Sequence, residues 1–286
     1  MNPNATFAYH YHGKGAVISL EIALGFIMIT AIGGNLLVLV TIAKHRALHT
    51  QTNAFIASLA TADVLVALVN IPLSAVTLAK GTWPYTMAIC RFHAFTMALF
   101  LIASIHTLMH IAIHKYLSIT RRFNRRSRPL RVKLMLIGAW LWAGLCAAFP
   151  LMGWSQTVYK AGASQCGPAL PSKLPDYLHS LLINSTNYVL PLVVMTFCYF
   201  RIFREIHLHM QKRQSRAVEQ QKRIAVTLLL VVICFVVCWT PYIVYSVTAG
   251  AMKNKEALPL IFNPIVSIGA WSISGPAPLT ITHYIL

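Results

Sequence analysis

Apolar residues in this chain come in seven long runs, at 16–43, 53–78, 88–119, 132–152, 177–207, 217–249 and 258–286, divided by short polar stretches. Each run is long enough to cross a hydrocarbon core of about 30 Å as a helix rising about 1.5 Å per residue. In that medium a helix is favoured because it satisfies its own backbone groups. The third run is the central one. Between Cys90 and Lys115 a helix rises roughly 38 Å. Met97, Leu101, Ser104, Leu108, Ile111 and Lys115 recur along it at steps of four and three, one helical face expected to look into a bundle.

Composition agrees with the pattern: 57% of the 286 residues are hydrophobic and only 10% charged, with a mean hydropathy of +0.63. Such a chain is a multi-pass membrane protein rather than a soluble domain. The predicted fold is an all-α bundle of seven transmembrane helices, with residues 1–15 as an outer N-terminal segment and 16–286 as the bundle. The net charge of +18 does not point to nucleic acid, because the basic residues sit in short clusters between apolar runs. They orient the chain in the lipid bilayer instead. Seventeen of the 24 lysines and arginines fall in the segments that are internal if the N-terminus is outside, and seven fall in the others. That bias places the N-terminus outside and the C-terminus inside.

Several smaller readings follow from this topology. Asn4 heads an Asn-Ala-Thr sequon on the outer side and is a candidate glycosylation site, an unused chance match being the alternative. Asn184 heads a second sequon but lies inside the fifth run. The first 15 residues are polar and the first run is too long for a signal-peptide core, so that helix is expected to direct insertion itself. The sequence given ends at Leu286, just after the seventh run, as a short product or a trimmed one. Of six cysteines, Cys146, Cys198, Cys234 and Cys238 fall within apolar runs and are expected to be small core residues, whereas Cys90 and Cys166 lie at the oxidising outer face, where a disulfide between them is the natural pairing.

Markers spread over the whole chain carry a resemblance. The first run has Gly34-Asn35-Leu36-Leu37-Val38, the second Leu59-Ala60-Thr61-Ala62-Asp63, the third Cys90 and the stretch 104–119, the fourth Trp140 and Pro150, the fifth Pro191 and Tyr199, and the sixth Phe235 with Cys238-Trp239-Thr240-Pro241. With each marker in its own span, the chain resembles the class A, rhodopsin-like G-protein-coupled receptors. The resemblance implies a plasma-membrane receptor that passes an extracellular signal to a heterotrimeric G protein.

The residues have physical meaning beside the resemblance. Pro241 lacks the amide that would bond the preceding turn, so the sixth helix is expected to kink there and act as a hinge. Phe235 and Trp239, shortly before it, are candidate switch residues, with core packing as the alternative. Asp63 is the acidic residue in the middle of a span, and a carboxylate there needs a partner. Asn35, Ser104 and Ser274 are the candidates, and the resemblance implies a sodium ion among them. The seventh helix departs from the family's pattern, with Ala277 and Ile281 where Asn and Tyr are usual. An ion site and a hydrogen-bonded or protonated carboxylate therefore both stay open. At the inner end of the third helix the family's acidic-Arg-Tyr triplet reads His114-Lys115-Tyr116. These residues and Tyr199 are the expected G-protein contact. Lysine keeps the charge but not the planar fork of arginine, and histidine supplies no carboxylate to restrain it. A receptor leaky toward its active form, or one that couples poorly, is the consequence.

The ligand site is read partly by exclusion. Amine receptors place an aspartate where this chain has Met97, so an amine salt bridge is not expected. The outer stretch 149–155 followed by Gln165-Cys166 resembles opsins, and more loosely melatonin and adenosine receptors. Opsins require a lysine in the seventh helix for a retinal Schiff base. Trp271 stands there, and 258–286 contains no lysine, which excludes a covalent photopigment. The expected pocket is lined by Met97, Leu101, Asn184, Asn187, Trp239, Tyr242, Tyr245 and Trp271, suited to a small neutral molecule or short peptide with no cofactor or metal. His10, His12, His93 and His179 near the outer face raise a proton- or zinc-sensing alternative, against which stands the commoner solvated or interfacial histidine. His106, His110 and His114 form a second stripe expected to pack against neighbouring helices. No transporter-like repeat and no nucleophile or metal motif of an enzyme is present. A receptor fold that does not couple normally is the remaining alternative.

Overall fold

A computed structural model describes residues 14–120, 128–160, 164–169, 171 and 173–212, together with 222, 223, 225–227, 229, 230, 232–234, 236, 237, 240, 243 and 244. Helix α1 spans Lys14–Lys44 and α2 spans Gln51–Lys80. A one-turn helix at Arg46–Leu48 joins them, and the Thr50 hydroxyl caps α2 by accepting from the Asn53 amide. Helix α3 follows at Met87–Thr120 and α4 at Arg128–Ala148. Strands β1 (Thr157–Lys160) and β2 (Gln165–Pro168) pair antiparallel in the outer loop. The pieces Leu174–Asn184 and Leu190–Lys212 make up α5, and an apolar helix, α6, covers Ala225–Cys234. Among the described residues five helices are long and apolar enough to span a bilayer. The seventh run lies outside them.

The lipid-facing surfaces can be read from spacing. On α1, Ile18, Ile22, Phe26 and Ile29 are exposed, and on α4 so are Leu134, Ile137, Leu141 and Leu145. Each set recurs at three and four residues, a helical stripe that only an apolar solvent would tolerate. Helix α3 differs. Met97, Leu108 and Ile111 of its expected inward face are buried, but so are Phe100, Ala103, Thr107 and Ala112 on other faces. A single inward face is thus corrected to burial on nearly every side. The reason is position: α3 packs against α2, α4, α5 and β2 at once.

Four further expectations change. The fourth helix ends at Ala148, four residues before the end of its apolar run, because Pro150 turns the chain. Met152 and Trp154 then donate to Phe149 O at 3.2 Å, and Gly153 supplies the positive φ of 90° that the turn needs. The outer loop adds a hairpin to the all-α reading. Cys234 is exposed rather than a core residue like Cys146 and Cys198, since a small thiol is as well accommodated by lipid as by protein. His93 is not solvated or interfacial but completely buried.

Candidate functional site

The outer end of α3 is fixed first. Cys90 and Cys166 form a disulfide with Cα atoms 5.4 Å apart, which fastens β2 to α3. Next to it, α2 contains a π turn at Val66–Asn70 that carries Asn70 toward α3. The Asn70 amide donates to His93 O and to the Thr96 hydroxyl, both at 3.0 Å. Ser74 Oγ and His93 Nε2 are 3.2 Å apart, and Trp83 meets the His93 ring edge-on. The Asn70 amino group, the Thr96 and Ser74 hydroxyls and His93 Nε2 thereby find partners inside the protein. Tyr159 on β1 packs against Trp83, and burial pushes its phenol up to about 12, so it stays neutral.

Midway through the membrane α5 also contains a π turn, at Ser185–Val189, with Asn187 at its centre. Asn187 Oδ1 accepts from Trp142 Nε1 and pairs with His106 Nε2, each at 3.0 Å. Its Nδ2 donates to Ile183 O at 3.1 Å. Because indole is only a donor, Oδ1 is the acceptor, and His106 must carry a proton on Nε2. Asn187 was expected in the ligand pocket. Its amide bonds to α3, α4 and its own helix α5 and so helps to position those helices. Asn184 bonds within its own helix, to Ser180 Oγ at 3.3 Å, while Met97 packs with α1 and α2 and Leu101 beside the same cluster.

Asp63 is buried and has Ser104 beside it. Ser104 Oγ and Asn35 Oδ1 are buried oxygens without a well-formed hydrogen bond among the described residues, while the Asn35 amide donates to Ala31 O at 2.8 Å. Carboxylate, hydroxyl and amide oxygens are the hard donors that a small cation takes.

At the inner end, His114 Nε2 lies 3.3 Å from Gln51 Oε1 at the start of α2, and its ring packs on Phe55. Tyr116 meets Phe197 edge-on, and Tyr199 is buried in the same inner cluster. The histidine stripe does pack as expected, with His106 against Trp142 and His110. No group of three His, Cys, Asp or Glu able to hold a metal occurs among the described residues, and His10 and His12 lie outside them.

Asn4, Phe235, Trp239, Pro241, Tyr242, Tyr245, Trp271 and Ser274 lie outside the described residues. One member of the hinge stretch is described. Thr240 donates to Val236 O at 2.6 Å and so accepts from the Tyr188 hydroxyl, also at 2.6 Å. Sequence reasoning missed Tyr188, for which a tyrosine next to a buried asparagine gave no signal. It also missed Gln51, whose partner is 63 residues away.

Residues 34–273 match the family model described as 7 transmembrane receptor (rhodopsin family). The chain is 31% identical to melanopsin of Mus musculus over 98% of its own length and 56% of the relative's. It is 32% identical to melanopsin of Felis catus, with 98% and 60% covered. The Substance-K receptor of Canis lupus familiaris is 31% identical over 80% of this chain and 62% of that receptor. The chain thus spans about three fifths of the length of these curated relatives. The crystal structure of squid rhodopsin superposes with a TM-score of 0.81, covering 99% of this chain and 80% of that one at 23% identity, a likeness of fold.

Proposed function

The chain belongs to the rhodopsin-like family of seven-transmembrane receptors, and from that premise we propose that it transmits the binding of a small extracellular ligand to heterotrimeric G proteins across the plasma membrane. It is a receptor rather than an enzyme. The observation that carries the coupling part is the inner end of α3. Lys115 has no hydrogen bond or ion pair among the described residues, and its neighbour His114 is held by Gln51 of α2. The cation that a G protein would meet is therefore not locked away by an acid on its own helix, and a neutral hydrogen bond does the restraining.

On this reading the ligand occupies the outer half of the bundle beside α3, with Met97 and Leu101 on the α2 side of that helix as an apolar wall and Trp239 as the floor. Movement at Pro241 shifts the inner part of α6 away from α3, and the Tyr188–Thr240 bond couples that shift to α5. Retinal is not the ligand's chemistry, since the seventh run offers no lysine for a Schiff base. A sodium ion, if held by Asp63, Ser104 and Asn35, supplies a positive charge that stabilises the buried carboxylate, and those residues orient it. The test is direct: second-messenger and calcium signals in cells expressing the protein without added ligand, against mock-transfected cells. Basal signal above mock supports coupling. No signal through any G-protein class, even after Lys115→Arg, overturns it.

A further inference from the structure

A cavity of about 70 Å3 lies between the outer ends of α3, α4 and α5, and none of the roles above uses it. Ala98 and Ile102 of α3, Cys146 of α4 and Ile183 of α5 give it an apolar lining. It is on the α4 side of α3, whereas Met97 packs on the α2 side, so it is separate from the pocket proposed above. Two polar side chains interrupt the lining. His179 is only 5% exposed, and its Nε2 is buried without a hydrogen-bond partner among the described residues. Arg91, beside the Cys90–Cys166 staple, is exposed and has no carboxylate partner among the described residues. The acid on α5, Asp176, accepts from the Lys173 amide at 3.1 Å instead. Arg91 and Leu151 also border an adjoining cavity of about 400 Å3, which Ser155 and Gln156 make polar.

A small apolar chamber, a larger polar one and an unpaired guanidinium at their boundary define an amphiphilic site with a positive centre. We propose that this site binds a carboxylic acid with a short apolar body, its carboxylate on Arg91 and its apolar body over Ala98, Ile102 and Ile183. The planar fork of arginine matches a carboxylate through two parallel N–H···O bonds. An apolar body is required because a charged or polar one would strip its own hydration against Ile102, Cys146 and Ile183 without compensation. The volume sets the size, since at about 30 Å3 per water molecule the apolar chamber matches only about two waters and takes a short alkyl or aryl group rather than a long chain. Exposed Leu151, Met152 and Trp154 beside it offer an apolar approach at the outer membrane interface.

Binding is measured on the whole chain in lipid nanodiscs, following tryptophan fluorescence while 4-bromobenzoate is added as a quencher, with protein-free nanodiscs as the partition control. Saturable quenching that benzoate reverses and benzyl alcohol or benzylamine does not is the expected result. Arg91→Gln should weaken it at least tenfold and Arg91→Lys less. Ala98→Leu, which fills the chamber without touching the charge, should weaken it to a similar degree. Each variant is accepted only if its melting temperature without probe equals that of the parent. Linear quenching, equal displacement by benzyl alcohol, or unchanged binding in both Arg91→Gln and Ala98→Leu overturns the site. Because the readout is binding, its failure is distinct from a failure to couple to G protein.

Discussion

Asn187 shows how one side chain can hold three helices. Its oxygen takes the N–H of Trp142 and of His106 at once, and its amino group is tied to Ile183 O. Asn187→Leu would leave two buried donors without an acceptor, at about 1–3 kcal/mol each. The melting temperature of the variant in nanodiscs should therefore fall well below that of the parent, with Asn187→Asp in between because a carboxylate still accepts both bonds. A second residue-scale prediction concerns the inner end of α3. His114→Asp should lower basal signalling by restoring an acid beside Lys115. Lys115→Arg should raise it by restoring the fork, and Gln51→Ala should raise it too by releasing His114. Basal second-messenger output at matched surface expression checks all three, and a fall with Gln51→Ala would contradict the restraint assigned to that bond.

Among the elements, the hairpin and the two π turns decide the geometry around α3. The hairpin is held by its disulfide to Cys90, a link worth about 2–4 kcal/mol. Cys90→Ser or Cys166→Ser should sharply reduce surface expression measured on intact cells, and normal expression of both would remove the staple's importance. Each π turn inserts an extra residue in its helix and turns an asparagine, Asn70 or Asn187, toward α3. Helix α6 is coupled to α5 through the hydroxyl pair Tyr188–Thr240. Removing that pair with Tyr188→Phe, or the proline with Pro241→Ala, should change basal or ligand-driven signalling without loss of membrane insertion. Signalling identical to the parent in both would reduce this region to packing.

At the scale of the whole molecule, orientation rests on charge. Basic residues concentrate in the segments assigned to the inner side, and the exposed apolar stripes of α1 and α4 give the bundle its lipid-facing surfaces. An epitope added before Met1 should be reached by antibody on intact cells, and one added after Leu286 only after permeabilisation. The reverse labelling would overturn the topology. Asn4→Gln should remove any glycan and increase the mobility of the protein on a gel.

The class of fold was legible because the bilayer imposes one requirement on every span, that about 20 consecutive residues be apolar and helical. Local residues were enough to place each of the first five helices to within a few positions and to pair Cys90 with Cys166, since topology put only those two cysteines on the oxidising side. The partners of buried polar groups were not legible. Asn187 meets Trp142 and His106 across 45 and 81 residues of sequence, and Asn70 finds Thr96 across 26. Hydrophobic periodicity says which face of a helix is buried but not which helix it meets, and a π turn rotates the following face without leaving a mark in that periodicity. Those pairings, the burial of α3 on almost every side, and the meeting of Arg91 with His179 around one cavity were fixed only when the helices packed, because each depends on distances between elements that local sequence does not encode.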